Sequence, residues 1–64
     1  MKEYQERIIK EKEELQIKYE KLVDFLLSDI FKNLDTTNKF LLETQLDIMS
    51  IYLKILRDRI SLFS

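Results

Sequence analysis

The fold of this chain is decided by the stretch LLETQLDIMSIYLKILRDRISLF, which occupies residues 41–63. Within it, apolar side chains recur at spacings of four and three residues, a rhythm that places them along one face of an α-helix. We call this row the inner stripe; it contains Leu42, Leu46, Met49, Leu53, Leu56, Ile60 and Phe63. A second row, the outer stripe, contains Leu41, Gln45, Ile48, Tyr52, Ile55, Arg59 and Leu62. Because one stripe is enough to pack against one neighbour, two adjacent stripes predict more than one neighbouring helix.

The composition of the chain favours helices and limits how they can be stabilised. The sequence has 64 residues and contains no Gly, Pro, Cys or His. Without Gly and Pro, tight hairpin turns between strands are disfavoured, so an all-α fold is predicted. Without Cys and His, disulfides and the usual zinc sites are excluded. A chain of this length forms one domain at most, residues 1–64, and buries only about 60% of its unfolded surface, so association with further copies is the remaining means of stabilisation.

The charge pattern argues against several classes of partner. The formal net charge is −1, whereas general nucleic-acid binders usually carry a strong basic excess, so DNA is not an expected partner. No apolar run approaches the roughly 20 residues of a membrane span, and no membrane association is expected. Mixed charges follow the first residues instead of an apolar segment, so no signal peptide is expected either.

The order of elements predicted along the chain is helix, connector, helix. The first helix is predicted from about residue 2 to 27, the connector over about 28–35, and the second helix over about 36–61. Ser28 is a favourable N-cap for a short helical turn, and Asn33 is placed to end that turn in the left-handed conformation. Asp35 or Thr36 then caps the second helix. The fold class is therefore an antiparallel helical hairpin with a short capping turn, assembled into a homo-oligomer.

The first helix carries a less regular seam than the second. Met1, Ile8, Leu15 and Leu22 repeat every seven residues, but two of the companion positions are charged. Those companion positions are Tyr4, Glu11, Lys18 and Phe25. One interpretation is a seam that is wet midway, with the stem of Lys18 lying along it. The other is that Tyr4 and Lys18 line a pocket between chains.

The residue pattern argues against an enzyme and favours a binding protein. No cysteine nucleophile and no histidine base are present, so no catalytic residue is assigned. The carboxylates have no spacing typical of a metal site, so no metal and no cofactor are expected. Tyr4 lies near a helix end with Arg7 one turn away, and Arg59 interrupts the outer stripe. A cation within an association surface needs a carboxylate or an anionic ligand as its partner.

The order of residues resembles the phage family of helical-hairpin sponges for cyclic oligonucleotides, the anti-CBASS proteins, whose hairpin also occurs in an anti-Thoeris sponge. The similarity covers nearly the whole chain. It begins with Tyr4-Gln5-x-Arg7-Ile8-Ile9-x-Glu11-Lys12. Its most specific part is Leu42-x-x-Gln45-Leu46-x-x-Met49-x-x-Tyr52-Leu53-x-x-Leu56-x-x-Arg59-Ile60.

This resemblance implies a nucleotide-binding homohexamer that captures immune signals at subunit interfaces, without cleaving them, in the cytoplasm of the infected bacterial host. The implied ligands are cyclic dinucleotides, with cyclic trinucleotides and cyclic ADP-ribose derivatives as alternatives. By the same resemblance, Tyr4 stacks on a base, Lys18 contacts phosphate, and Arg59 belongs to the trinucleotide pocket. Arg7 is a further candidate for neutralising phosphate. Immune evasion would follow from removing the signal.

The oligomer interface is predicted on the apolar members of the outer stripe. These are Leu41, Ile48, Tyr52, Ile55 and Leu62. The periodicity fits equally well a structural or adaptor bundle that binds a protein partner. A small nucleic-acid-binding bundle is the third possibility, although Lys54 and Arg57 supply only a thin basic face.

Overall fold

A computed structural model describes residues 2–63, and over that range the protein is all-helical. Helix α1 spans Glu3–Leu26, the short helix α2 spans Asp29–Lys32, and α3 spans Thr36–Ser61. The predicted long helices differ from these bounds by one residue at each end of α1 and agree with those of α3. The predicted connector contains α2. Met1, which was assigned to the seam of the first helix, lies outside the described residues.

The two long helices form an antiparallel hairpin. Helix α1 packs along α3, and the rings of Tyr4 and Phe63 meet edge to face with centroids 6.1 Å apart. The first turn of α1 therefore lies beside the end of α3, at the open end of the hairpin. The molecule is a rod whose Cα atoms extend over 46 × 15 × 13 Å.

Side-chain caps at the connector fix where the helices begin. The Ser28 hydroxyl accepts a hydrogen bond from the Phe31 backbone N–H at 3.3 Å and donates to the Phe25 carbonyl at 2.6 Å. Ser28 thereby closes α1 and opens α2 at once. Asn33 ends α2 as predicted, but its φ of −92° is right-handed, so the expected left-handed conformation is wrong. The Asn33 side chain donates to the Asp29 carbonyl at 3.1 Å, and that carbonyl also accepts from the Asn33 backbone N–H at 3.3 Å.

Asp35 begins α3, which selects one of the two caps predicted for that helix. One carboxylate oxygen accepts from the Asn38 backbone N–H at 3.3 Å, and the other accepts from the Asn38 side-chain amide at 2.6 Å. The hydrogen bond from the Asn38 side chain, followed by that from its backbone, lowers the pKa of Asp35 below its ordinary value of 3.8. The charged form of Asp35 is therefore the better cap.

The seam of α1 differs from the predicted one. Ile8, Leu15 and Leu22 are partly buried as expected, but Glu11 and Lys18 are exposed and take no part in the seam. The second row of the seam is formed instead by the residues that follow each predicted position by one. These are Gln5, Lys12, Tyr19 and Leu26. Tyr19 and Lys12 can occupy it because each has an apolar body and a polar tip, so the tip stays in water while the body covers the seam. The proposed wet seam with Lys18 along it is therefore wrong.

The interior of the hairpin is thin. Of the described residues, only Leu53 and Leu56 are fully buried, with 2% and 0% of their surfaces exposed. Both belong to the inner stripe, whose other members are partly buried. The inner stripe is thus the surface that α3 presents to α1, as its spacing predicted.

Candidate functional site

The outer stripe lies open on the surface of the single hairpin. Four of its apolar members are at least half exposed, and Tyr52 is 40% exposed. Those four are Leu41 at 56%, Ile48 at 61%, Ile55 at 50% and Leu62 at 81%. Ile51 beside them is also 61% exposed. Exposed apolar surface of this kind is typical of association sites, and covering it with a second copy remains a prediction.

Two contacts between α1 and α3 define the two faces of the hairpin. Tyr4 meets Phe63, and the Arg57 guanidinium donates a hydrogen bond of 2.8 Å to the Gln16 side-chain oxygen. At about 100° per residue, Gln16 lies about 120° around α1 from Tyr4. The seam therefore runs between these two contacts, with one contact on each side of it. We call the two sides the Tyr4 face and the Gln16 face.

All four predicted ligand-binding residues lie on the Tyr4 face. Around α1, Arg7 and Lys18 are displaced from Tyr4 by about 60° and 40°, in the direction away from Gln16. Around α3, Arg59 is displaced from Phe63 by about 40°, whereas Arg57 lies about 120° the other way. The rotation of the α1 seam therefore places Lys18 beside the outer stripe instead of inside the hairpin.

Along the rod, the structure brings three of these residues together and leaves the fourth apart. Tyr4, Arg7 and Arg59 cluster at the open end, because Phe63 contacts Tyr4 and follows Arg59 by one helical turn. Lys18 lies about 21 Å further along α1, counting 1.5 Å per residue. A single chain thus offers an aromatic and two guanidinium groups at its open end, and a separate ammonium group midway.

The candidate cations are exposed and have no acidic partner among residues 2–63. The ion pairs of that range are Lys10 with Glu14 at 4.0 Å, Lys32 with Asp29 at 3.5 Å, and Lys54 with Asp58 at 2.8 Å. None of them involves Arg7, Lys18 or Arg59. Guanidinium groups in this state are free to form paired hydrogen bonds with phosphate.

Tyr4 is the aromatic best placed to meet a ligand. Half of its surface, 49%, is exposed, and its ring meets that of Phe63 edge to face at the open end of the hairpin. Sequence reasoning placed Phe63 in the inner stripe but did not assign it to the site. Its position at the end of the stripe was the available signal, because an antiparallel hairpin brings that end to the start of α1.

The described chain offers little for other chemistry. Residues 2–63 contain no group of three or more acidic side chains arranged to hold a metal ion, and over that range one hairpin encloses no cavity. None of its helices combines the length and the apolar character needed to cross a membrane. What the Tyr4 face does offer is ring stacking and binding of anions next to an apolar stripe.

An all-helical hairpin with an exposed apolar stripe and unpaired cations on one face has the features of a binding protein. The family comparison makes this specific: the model of the family described as Sequestin matches residues 2–62. The chain therefore belongs to the Sequestin family, whose name indicates a sequestering protein. This fits the resemblance to a sponge family. No curated protein and no solved structure matches the chain.

Proposed function

We propose that this protein sequesters cyclic nucleotide immune signals at sites formed between copies of the hairpin and holds them without cleavage. In a phage-infected bacterium, such capture would lower the free signal and block the defence that depends on it. Membership of the Sequestin family is the observation that carries the proposal. The Tyr4 face supports it, since an exposed aromatic and unpaired cations there match the bases and phosphates of such a ligand.

The proposed roles follow from the position of each side chain. Tyr4 stacks on a base, a contact worth about 1–3 kcal/mol. Arg7 lies within reach of the same ligand and neutralises phosphate. Lys18 and Arg59 contact phosphate groups where a second copy closes over the Tyr4 face. The apolar outer stripe brings the copies together, as a homohexamer in the assembly that we favour.

The chemistry of the Tyr4 face fits more than one cyclic nucleotide. Cyclic dinucleotides suit an interface with two-fold symmetry, because ligand and site then share that symmetry. Cyclic trinucleotides and cyclic ADP-ribose derivatives present the same elements, namely purine bases and phosphates. All three belong in the same test.

Calorimetry with the full chain and a panel of cyclic di- and trinucleotides and cyclic ADP-ribose isomers tests the proposal. We expect tight binding of at least one ligand, which is recovered chemically unchanged after the protein is denatured. Native mass spectrometry of the same sample counts copies and bound ligands together. Binding of no panel member would refute the proposal, as would recovery of a cleaved ligand.

Matched variants test the residue roles. Tyr4→Ala should weaken binding about tenfold or more, and Tyr4→Phe should preserve most of it because the stacking ring remains. Arg59→Ala should weaken binding, whereas Arg57→Ala on the Gln16 face should not. Lys18→Ala is compared in the same way with Lys21→Ala, which is also exposed on α1 but lies about 60° further around the helix, on the side turned away from α3. Equal effects within each pair would contradict the assignment.

A further inference from the structure

The apolar residues of the outer stripe occur in the same order when the stripe is read in either direction. Its spacing places Tyr52 at the centre, with Ile48 and Ile55 on either side. Leu41 and Leu62 stand at the two ends. Between the isoleucines and the leucines lie the two strongly polar members of the stripe, Gln45 on one side and Arg59 on the other. This ordering goes beyond the four–three spacing, because the apolar residue types correspond as well as the positions, which match to within one residue.

We infer that two copies of the chain pair through α3 in an antiparallel, two-fold arrangement centred on Tyr52. In that register Leu41 faces Leu62 of the second copy, and Ile48 faces its Ile55. A two-fold contact of this kind requires a surface that is complementary to itself, which this stripe provides. The inference deepens the assembly on which the proposed function rests, but it does not depend on any ligand.

Charge decides between this arrangement and a parallel one. In the antiparallel register Arg59 faces Gln45 of the second copy, whose side-chain oxygen can accept from the guanidinium. The two arginines are then about 21 Å apart, counting 14 residues at 1.5 Å each. A parallel register would place Arg59 directly against its own copy and bring two like charges into an apolar contact, which is unfavourable. The second copy supplies no carboxylate to Arg59, which leaves the guanidinium charge available to an anion.

The geometry of the hairpin permits this pairing. The outer stripe runs for about 32 Å from residue 41 to 62 and its apolar side chains are exposed along that whole length. In the single chain, the exposed Arg59 has no ion-pair partner within residues 2–63. The seam with α1 uses the inner stripe instead, so neither contact displaces the other.

Cysteine cross-linking of the full chain tests the register, since the sequence contains no cysteine of its own. A mixture of Leu41→Cys and Leu62→Cys chains should form a mixed disulfide, while either variant alone should not. In the antiparallel register, identical ends lie about 32 Å apart, far beyond the reach of a disulfide. Ser50→Cys, which is exposed on α3 but outside the stripe, serves as the control and should not cross-link. Efficient self-linking of Leu41→Cys would overturn the inference in favour of a parallel contact.

Charge variants provide a second test that does not depend on trapping. Gln45→Glu places a carboxylate opposite Arg59 twice per pair, and should lower the dissociation constant of the pair about tenfold in sedimentation measurements. Gln45→Lys should raise it by a similar factor. If Gln45→Lys associated more tightly than Gln45→Glu, the inference would be overturned. A chain that stays monomeric at high concentration would overturn it as well. Since ligand binding is measured separately by calorimetry, failure of the register is distinguishable from failure of the proposed function.

Discussion

The inner and outer stripes of α3 consist of similar residues on one helix, yet the hairpin treats them differently. Leu53 and Leu56 of the inner stripe are 2% and 0% exposed, whereas Ile48 and Ile55 of the outer stripe are 61% and 50% exposed. The difference in exposure between these apolar residues therefore does not come from residue type. It comes from the number of helices available to pack against each stripe. A hairpin has one partner helix to offer, and the inner stripe uses it. The outer stripe, which is apolar at five of its seven positions, is left without a partner helix.

Of the substitutions considered, shortening a leucine of the inner stripe should lower the free energy of unfolding the most. Leu56→Ala removes a fully buried side chain, a change that costs about 2–5 kcal/mol of folding free energy in protein interiors. We expect the helical circular dichroism signal to be lost at a much lower temperature. Ile17→Ala is the control, because Ile17 is 53% exposed and lies outside both stripes, and it should change little. Equal effects of the two variants would remove the distinction between interior and surface.

A charge in the outer stripe should separate association from folding. Ile55→Glu puts a carboxylate into the proposed contact between copies, so we expect association to weaken by about 2 kcal/mol or more while the hairpin stays helical. Sedimentation velocity measures the first effect and circular dichroism the second. Ile17→Glu introduces the same charge at a similarly exposed position and should leave association unchanged. If Ile55→Glu unfolds the chain as Leu56→Ala does, the two stripes are not functionally distinct.

The contact between Arg57 and Gln16 offers a smaller test, because it bridges the helices on the face that the outer stripe does not reach. Arg57→Ala removes an exposed hydrogen bond of 2.8 Å and should cost at most about 1 kcal/mol in thermal unfolding. Association and ligand binding should not change. Lys54→Ala breaks only the pair with Asp58 on the same helix and provides the baseline. A loss of association in Arg57→Ala would show that the Gln16 face also contacts other copies.

The smallest expected effect concerns Asp35, which supports both stripes equally because it sets where α3 begins. Hydrogen bonds from Asn38 lower its folded-state pKa, so its charged form stabilises the fold above the ordinary pKa of 3.8. That contribution should disappear as the pH falls through the lowered value. Asp35→Asn keeps a capping oxygen but cannot titrate. The difference in melting temperature between the natural chain and this variant should therefore shrink below pH 3.8, and a constant difference would contradict the assignment.

Helical periodicity predicted the all-α fold and the division of α3, because a four–three rhythm leaves little choice about which residues share a face. The same reasoning failed on α1. There Leu15 and Leu22 can be combined with either of two neighbouring rows, and the charged members of the predicted row were weaker seam residues than Lys12 and Tyr19. Amphipathic side chains such as Lys12 and Tyr19 can lie partly buried beside an apolar row. Counting apolar residues therefore does not fix the rotation of a helix about its axis.

The candidate site was accessible to sequence reasoning only in part. Tyr4, Arg7 and Arg59 could be singled out as unusual positions, and the antiparallel hairpin brings them to one end. That Lys18 shares their face but lies far along the rod follows from the actual seam of α1, which the sequence left ambiguous. The contact of Tyr4 with Phe63 depends on the relative length of the two helices, which capping residues fix only to within a turn.

Over residues 2–63, two fully buried leucines are the whole interior of a rod 46 Å long. If sister chains contribute much of the remaining stabilisation, folding becomes coupled to mass action, and the melting temperature rises with protein concentration. Newly made chains would then gain their full stability only as they accumulate. Dilution would loosen the hairpin itself, not merely the contacts between hairpins.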